Sequence, residues 1–270
     1  SEVYRSAMLL KKQGYPLYKP QPQEKPYREE GIAIGDVGRI TTEGLFEFLF
    51  NIFVGADNSI NEFCPEGFIP LPPYNPDSRD VSCEILESPA YFSTADVQSD
   101  ILKDSMLSRF KMNFNCAGTT GAILALPNGA QRQLLERDSQ LFQYVVQNAP
   151  SWYAHVTGRL DRRLENGDLC LITGHYKTTS WGITSWSTPR LGQESKLSLQ
   201  AQLDGTSYHW KCVPSGSVPN AAESKSHDEP DKPIDQTVFI RGWSISLGRG
   251  LREQILGTTT VEISSLDEFK

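Results

Sequence analysis

The chain has 270 residues and a formal net charge of −7, and 38% of its residues are hydrophobic and 10% aromatic. This composition can fill a sizeable core, and an acidic chain with scattered basic residues argues against a nucleic-acid partner. The longest apolar run, residues 45–53, is too short to span a membrane and contains Glu47 and Asn51. The sequence therefore predicts a globular protein with no membrane span.

The N-terminal segment predicts a short helix followed by an extended arm. Val3, Ala7 and Leu10 recur at helical spacing within residues 2–13, before a glycine and a proline that favour helix termination. Residues 16–30 then contain four prolines, a composition typical of a proline-rich arm lying on a surface.

The following patterns favour strands. Alternation places Phe46, Phe48 and Phe50 on one face of a strand. A proline-rich loop, residues 64–78, comes next, and several short strands are expected between residues 81 and 126, including "RFKMNFNCAG" and "GAILALP".

The main helix is predicted from Gln131 to about His155. Leu134, Leu141 and Val145 fall on one face of this segment, which is the spacing of an amphipathic helix. Pro150 lies inside it, so we expect a kinked or double helix.

The C-terminal half predicts two hairpins and a flexible loop. "DLCLITG" is expected to pair with "TSWGITSW" across "HYKT", and "KLSLQAQL" with "TSYHWKCV" across Asp204-Gly205. Residues 214–235 are rich in proline, serine and acid, which predicts a flexible acidic loop before two final strands. Together these patterns predict one α+β, β-rich domain over residues 1–270, a mixed or antiparallel β-sandwich with a helical layer.

The cysteines indicate the compartment. The chain has five cysteines at wide spacings: Cys64, Cys83, Cys116, Cys170 and Cys212. It contains no N-glycosylation sequon. An odd number of widely spaced cysteines is typical of buried thiols in a reducing environment. We therefore expect an intracellular, cytoplasmic protein.

Signatures for metals and cofactors are missing from the sequence. The zinc-protease, C-x-x-C, phosphate-loop and dinucleotide motifs do not occur, and the four histidines share no ligand spacing. The sequence therefore predicts no metal site and no cofactor.

A hydrolase-like site is one alternative for the function. Cys116 precedes "AGTTGA", a turn whose amides could stabilise an anion, and His155 or His175 could act as the base. Asp36, between two glycines on an apolar strand, is a second candidate carboxylate. Each residue also has a structural interpretation, because a thiol ending a strand and a buried, hydrogen-bonded aspartate are ordinary core features.

A ligand-binding module is a further alternative. The stretch "GHYKTTSWGITSW" contains Lys177, Trp181 and Trp186, and Trp152 and Tyr153 lie shortly before it. Exposed aromatic rings could pack against the apolar faces of a carbohydrate or another small ligand, and Lys177 could bind an anionic group. The same aromatic residues could equally fill the core.

Several blocks of the sequence carry a resemblance. "GYPLYKPQP", "GIAIGDVGRITTEGLFEFLFNI", "GAILALPNGA", "SWYAHV", "LCLITGHYKTTSWGITSW" and "TVFIRGWSISL" occur in this order. In them the chain resembles an uncharacterised protein family of mushroom-forming (basidiomycete) fungi, over most of residues 14 to 247. That family has no established activity, so the resemblance implies no catalytic residue; it does imply a cytosolic fungal protein.

Our leading hypothesis is a non-enzymatic intracellular interaction or regulatory domain with a protein partner. Many strands and turns, proline-rich segments suited to contacts and the lack of a reactive motif favour it. The alternatives are the hydrolase and the module for a small ligand or glycan.

Overall fold

A computed structural model describes residues 2–22, 31–74, 80–104, 109–136, 139–159, 164–187, 195–201, 208–213, 221–225, 234–248 and 260–268. Antiparallel strands predominate in the described residues and are accompanied by two α-helices, which confirms the predicted α+β, β-rich class. All strand pairs found in these ranges are antiparallel.

The described helices are α1 (Glu2–Leu9) and α2 (Ser139–Ala154), and a π-helical turn, His155–Arg159, continues α2. The described strands are β1 (Tyr15–Pro16), β2 (Asp36–Ile40), β3 (Phe46–Asn51), β4 (Val81–Leu86), β5 (Ala90–Ser93), β6 (Val97–Asp104), β7 (Arg109–Cys116), β8 (Thr120–Leu126), β9 (Ala130–Leu135), β10 (Leu169–Thr178), β11 (Trp181–Ser187), β12 (Ser195–Ala201), β13 (Tyr208–Val213), β14 (Ala221–Lys225), β15 (Gln236–Gly248) and β16 (Thr260–Ser265).

The first sheet is organised around two long strands, β10 and β15, which pair along most of their length. Each carries two different strands on its outer edge. β10 pairs with β2 near its start and with β9 near its end, whereas β15 pairs with β1 and then with β16. β3 extends the sheet beyond β2, and β4 extends it beyond β9. The β10–β15 pair therefore joins strands from both ends of the chain.

The second sheet has the order β14-β11-β8-β5, and the third has the order β13-β12-β7-β6. They pack face to face, since Ile123 and Ala125 of β8 contact Phe114 of β7 and Leu199 of β12 in one apolar cluster. This pair of sheets is the predicted sandwich.

Strand β8 shows why "GAILAL" is an uninterrupted apolar run. Ile123 faces the third sheet, whereas Ala122 and Leu124 face α1 and the first sheet. A strand buried on both faces cannot alternate apolar and polar residues. The second sheet is therefore the middle of the structure at this end of the molecule.

The two helices cover different parts of the first sheet. Tyr4 and Met8 of α1 pack with the end of β10 and the start of β15. Val145 and Trp152 of α2 pack with β2, β3 and the start of β10. None of the helices in the described ranges is both long and apolar enough to cross a membrane.

One predicted hairpin is wrong. Strand β10 runs through "HYKT" to Thr178, and the bend at Thr179–Ser180 carries the chain from the first sheet into the second. Strand β11 pairs with β8 and β14 instead of β10. The physical reason is that β15 on one side, and β2 and β9 on the other, already occupy both edges of β10.

The predicted start of the main helix is also wrong. Residues 130–135 form strand β9, although alanine, glutamine and leucine favour helices. β9 has hydrogen-bonded strands on both sides, β10 and β4, so tertiary pairing overrides local propensity. The helix begins at Ser139 and continues through Pro150.

The predicted arm and loop are partly described. Within the arm, Leu17 and Tyr18 are buried, and the amide of Leu17 donates to the carbonyl of Val238, so the arm lies on the first sheet. Residues 23–30 lie outside the described residues. In the predicted acidic loop, residues 221–225 form β14, which is a correction, and residues 214–220 and 226–233 lie outside the described residues. The single-domain organisation stays a prediction.

The central strand pair requires a glycine. A Cβ atom on Gly242 of β15 would lie 2.0 Å from the carbonyl oxygen of Leu171 on β10. By contrast, a Cβ on Gly158 would meet no atom within 4 Å.

We predict that Gly242→Ala lowers the free energy of unfolding by about 1–3 kcal/mol, because the two central strands must move apart. Gly158→Ala is the matched control and should leave stability unchanged or slightly higher. Urea denaturation followed by circular dichroism measures both. Equal stability of the two variants would contradict the close approach of β10 and β15.

Candidate functional site

Cys116 lies in the core between the second and third sheets. Its side chain is 3% exposed and packs with Phe114, Leu197 and Cys212. Burial, with a smaller effect of Cys212, raises the pKa of this thiol from 9.0 to about 12. Cys116 is therefore a protonated thiol at neutral pH, the opposite of an activated nucleophile.

The two candidate bases have different surroundings. His155 follows α2 and is partly exposed, and its Nε2–H donates to the carbonyl oxygen of Phe63 at 2.9 Å. His175 is buried on β10, and its Nδ1 has no hydrogen-bond partner in the described part of the chain. Burial, and then the nearby Lys177, holds the pKa of His175 well below its ordinary value.

Asp36 belongs to a buried hydrogen-bond network. Its carboxylate accepts from the amide of Ala33 and from the side chain of Asn51, both at 2.7 Å. The backbone amide of Asn51 donates to the side-chain oxygen of Asn61 at 2.8 Å. The side-chain amide of Asn61 donates in return to the backbone carbonyl of Asn51 at the same distance. These bonds fix the start of β2 against β3 and the turn after β3, which is a structural role.

The structure does not bring the candidate catalytic residues together. Cys116 packs between the second and third sheets, whereas His155 contacts the loop beside α2. Within the described ranges, neither histidine forms a hydrogen bond with Cys116 or Asp36. A nucleophile and its base need such a contact.

The candidate binding residues near α2 are also in the core. Trp152 is buried and makes an edge-to-face contact with Phe50 at 5.5 Å. The hydroxyl of Tyr153 donates to the carbonyl of Ile245 at 2.6 Å and accepts from the amide of Gly167 at 2.9 Å. Both side chains attach α2 to the first sheet.

The two tryptophans of the motif hold sheets together. Trp181 is buried beside α1, and its indole N–H donates to Gln236. Trp186 is partly buried, donates to the carbonyl of Gly118, and lies over Gly121, where a Cβ atom would be 2.3 Å from the ring. Lys177 is partly exposed near the end of β10.

A surface loop without a predicted role displays large apolar side chains. We call residues 61–71 the clamped loop, because α2 and the π-helical turn after it hold the loop by two backbone carbonyls. Tyr144 donates to the carbonyl of Ile69 at 2.7 Å, and His155 donates to that of Phe63. The side chains of these same two residues are exposed, Phe63 at 53% and Ile69 at 76%.

The apolar character extends to α2. Phe142 and Val146 are exposed one turn apart on this helix, which has no charged residue between Ser139 and Ala154. The sequence signal for this surface is weak. It consists of apolar residues outside any periodic pattern in a segment rich in proline and acid.

The charged residues between positions 54 and 74, a segment that includes the clamped loop, are all acidic. Asp57, Glu62 and Glu66 are exposed, and no lysine or arginine occurs between Arg39 and Arg79. Across the described residues, no group of three or more histidine, cysteine, aspartate or glutamate side chains could hold a metal ion. The loop therefore presents an acidic apolar surface, a surface composition suited to macromolecular contacts.

Comparisons with known proteins add little. No protein-family model and no curated protein sequence matches the chain. One solved structure, entitled "Cryo-EM structure of the Gasdermin A3 membrane pore", is similar over 96% of this chain and 92% of that chain, with 8% identity and a TM-score of 0.28. A TM-score this low does not indicate a shared fold.

The thiol environments predict an order of labelling. The rise in the pKa of Cys116 from 9.0 to about 12 lowers its thiolate fraction about 1,000-fold, and Cys170 is fully buried. Iodoacetamide at pH 8 should therefore modify the exposed Cys83 first, and Cys116 and Cys170 only after denaturation, as mass spectrometry would show. Rapid labelling of native Cys116 would restore the hydrolase alternative.

His175 predicts a pH dependence of stability. Because its pKa is lowered in the folded state, the unfolded chain takes up a proton near pH 6.5 that the folded chain does not. Stability is complete above that pH and is lost below it, by up to about 1.4 kcal/mol per pH unit through this group. Urea denaturation between pH 7 and pH 5 measures the slope.

Two variants isolate this contribution from that of the carboxylates. His175→Gln should flatten the slope by this amount, whereas Gly158→Ala, which changes no titratable group, should retain the wild-type slope. Identical slopes for wild type and His175→Gln would show that His175 is not held neutral.

Proposed function

We propose that the chain is a non-enzymatic, intracellular interaction domain that binds a protein partner through the clamped loop. The observation that carries this proposal is the pair of hydrogen bonds from Tyr144 of α2 and His155 of the following turn to the carbonyls of Ile69 and Phe63. Because these bonds hold the backbone towards α2, they support an outward orientation of the two apolar side chains.

Fixing a displayed side chain before binding increases affinity. A flexible loop loses conformational freedom when a partner orders it, and that loss opposes association. The clamped loop is already ordered by Tyr144 and His155, and Leu71 is anchored by its amide bond to the carbonyl of Ile52 at 2.8 Å. Complete burial of Phe63 or Ile69 would contribute about 1.5–3 kcal/mol each.

The surrounding charge indicates the partner's chemistry. Glu62 and Glu66 are exposed residues of the clamped loop, and the exposed Asp57 shortly precedes it in the sequence. A complementary surface therefore has an apolar groove with a basic rim. Opposite charges on the two surfaces accelerate association, and their attraction weakens as salt screens the charges. The uncharged α2, with exposed Phe142 and Val146, can extend the contact area.

The intracellular part of the proposal rests on the cysteines. The structure leaves all five as free thiols, and Cys83 is exposed on β4. A reducing compartment protects such a thiol from oxidation. The hydrolase alternative receives less support, since Cys116 is a buried thiol without a contacting base.

The test compares two double variants at exposed apolar positions. Phe63→Ser with Ile69→Ser removes both displayed side chains, whereas Leu10→Ser with Ile85→Ser changes two residues of 80% and 76% exposure elsewhere. Proteins captured by the wild-type chain from cell extract are purified, and their Kd values are measured by titration calorimetry. We expect the first double variant to raise Kd about 100-fold and the second to leave it unchanged.

Three outcomes would overturn the assignment. One is that no purified protein binds the wild-type chain. Another is that both double variants bind as tightly as wild type. The third is a change in sedimentation from monomer to dimer that the Phe63→Ser, Ile69→Ser variant abolishes, which would make a second copy the partner.

A further inference from the structure

A cavity of about 260 Å³ opens where α1, the N-terminal arm and the β2–β3 turn meet. The residues that line it are of three kinds: Glu2 and Arg5 of α1, Tyr15, Pro16 and Tyr18 of the arm, and Thr41, Thr42 and Gly44 of the turn. None of these residues belongs to the clamped loop or to α2.

Backbone hydrogen bonds fix two walls of this cavity relative to each other. The amides of Tyr18 and Lys19 in the arm both donate to the carbonyl of Gly44 at 3.0 Å. The turn is closed by bonds between Thr41 and Leu45. Gly44 permits this contact, since a Cβ atom there would lie 2.7 Å from the Cβ of Tyr18.

The third wall, α1, is fixed by packing. Tyr4 and Met8 are fully buried, and the ring of Tyr4 contacts that of Tyr18 edge-to-face at 5.7 Å. The opposite side of α1 directs Glu2 and Arg5 to the cavity. All three walls are therefore attached to the core, and the cavity is preformed, as ligand sites usually are.

Polar groups at this cavity are available for a ligand. Glu2, Arg5 and Thr42 are exposed, and the structure gives them no hydrogen bond or ion pair among the residues that it describes. They supply a carboxylate that accepts hydrogen bonds, a guanidinium that donates them and a hydroxyl that can donate and accept. The largely buried arm residues Tyr15, Pro16 and Tyr18 contribute apolar surface to the lining.

We propose that this cavity binds a neutral saccharide. A sugar ring has apolar C–H faces that pack on aromatic and proline rings, and hydroxyls that need both donors and acceptors. The lining charges of Glu2 and Arg5 balance, which disfavours an ion of either sign. The site uses none of the aromatic residues that the sequence suggested for a glycan.

The size of the cavity limits the ligand. At about 30 Å³ per water molecule it holds eight or nine waters, comparable with the twelve non-hydrogen atoms of a hexose. For a ligand of this size we expect a Kd of about 1 mM. The cavity therefore accommodates one sugar ring, alone or at the end of a longer chain.

Ligand-observed saturation-transfer NMR with the whole chain tests the proposal. The probes are glucose, galactose, mannose and N-acetylglucosamine, with glutamate and inorganic phosphate as charged comparisons. Arg5→Ala and Thr42→Val each remove one polar group of the lining, and Ser6→Ala is the matched control on the exposed side of α1. We expect at least one sugar to bind saturably, with Kd raised about 10-fold in Arg5→Ala and unchanged in Ser6→Ala.

The results separate this site from the protein-binding surface. Sugar binding should persist in Phe63→Ser with Ile69→Ser, because these residues lie outside the cavity. The proposal is overturned if no sugar saturates up to about 50 mM, or if only glutamate or phosphate binds. Sugar binding that is insensitive to both Arg5→Ala and Thr42→Val would also overturn it.

Discussion

The pairing of β10 with β15 is the constraint on which the rest of the structure depends. These strands approach so closely that residue 242 must lack a side chain, and each supports two further strands on its outer edge. Strands from the N-terminal arm, the middle of the chain and the C-terminal segment therefore share one sheet. The second sheet attaches to this frame through the cluster of Tyr176, Phe239 and Trp181, and the third sheet packs on the second.

Both proposed binding regions lie where loops attach to this frame. The clamped loop is positioned by α2, which Trp152 and Tyr153 hold against the first sheet. The cavity forms where the arm, paired with β15 through β1, meets the β2–β3 turn. Trp152 and Tyr153 hold the helix, and the side chains offered to a protein partner are the exposed Phe63 and Ile69. At the cavity, the exposed Glu2, Arg5 and Thr42 offer the polar groups. Binding residues often lie on loops that a rigid scaffold positions.

The candidate site could be predicted only in part. The sequence already suggested a structural interpretation for two candidates. Cys116 ends a strand and is buried, and Asp36 lies between two glycines and is hydrogen-bonded in the interior. Phe63 and Ile69 could not be recognised, because their exposure depends on Tyr144 and His155, about 75 and 92 residues later in the chain. Local patterns do not report on such distant contacts.

The sequence by itself determined the β-rich class, the second hairpin and α2, because alternation, turn residues and helical periodicity are local properties. Only the tertiary structure decided which strands share a sheet. Strand β9 has a helix-favouring composition, and β11 follows β10 directly, yet the free edges of neighbouring strands determined the partners of both. Pairing between distant segments depends on which edges and faces remain unoccupied, and that is a property of the assembled fold.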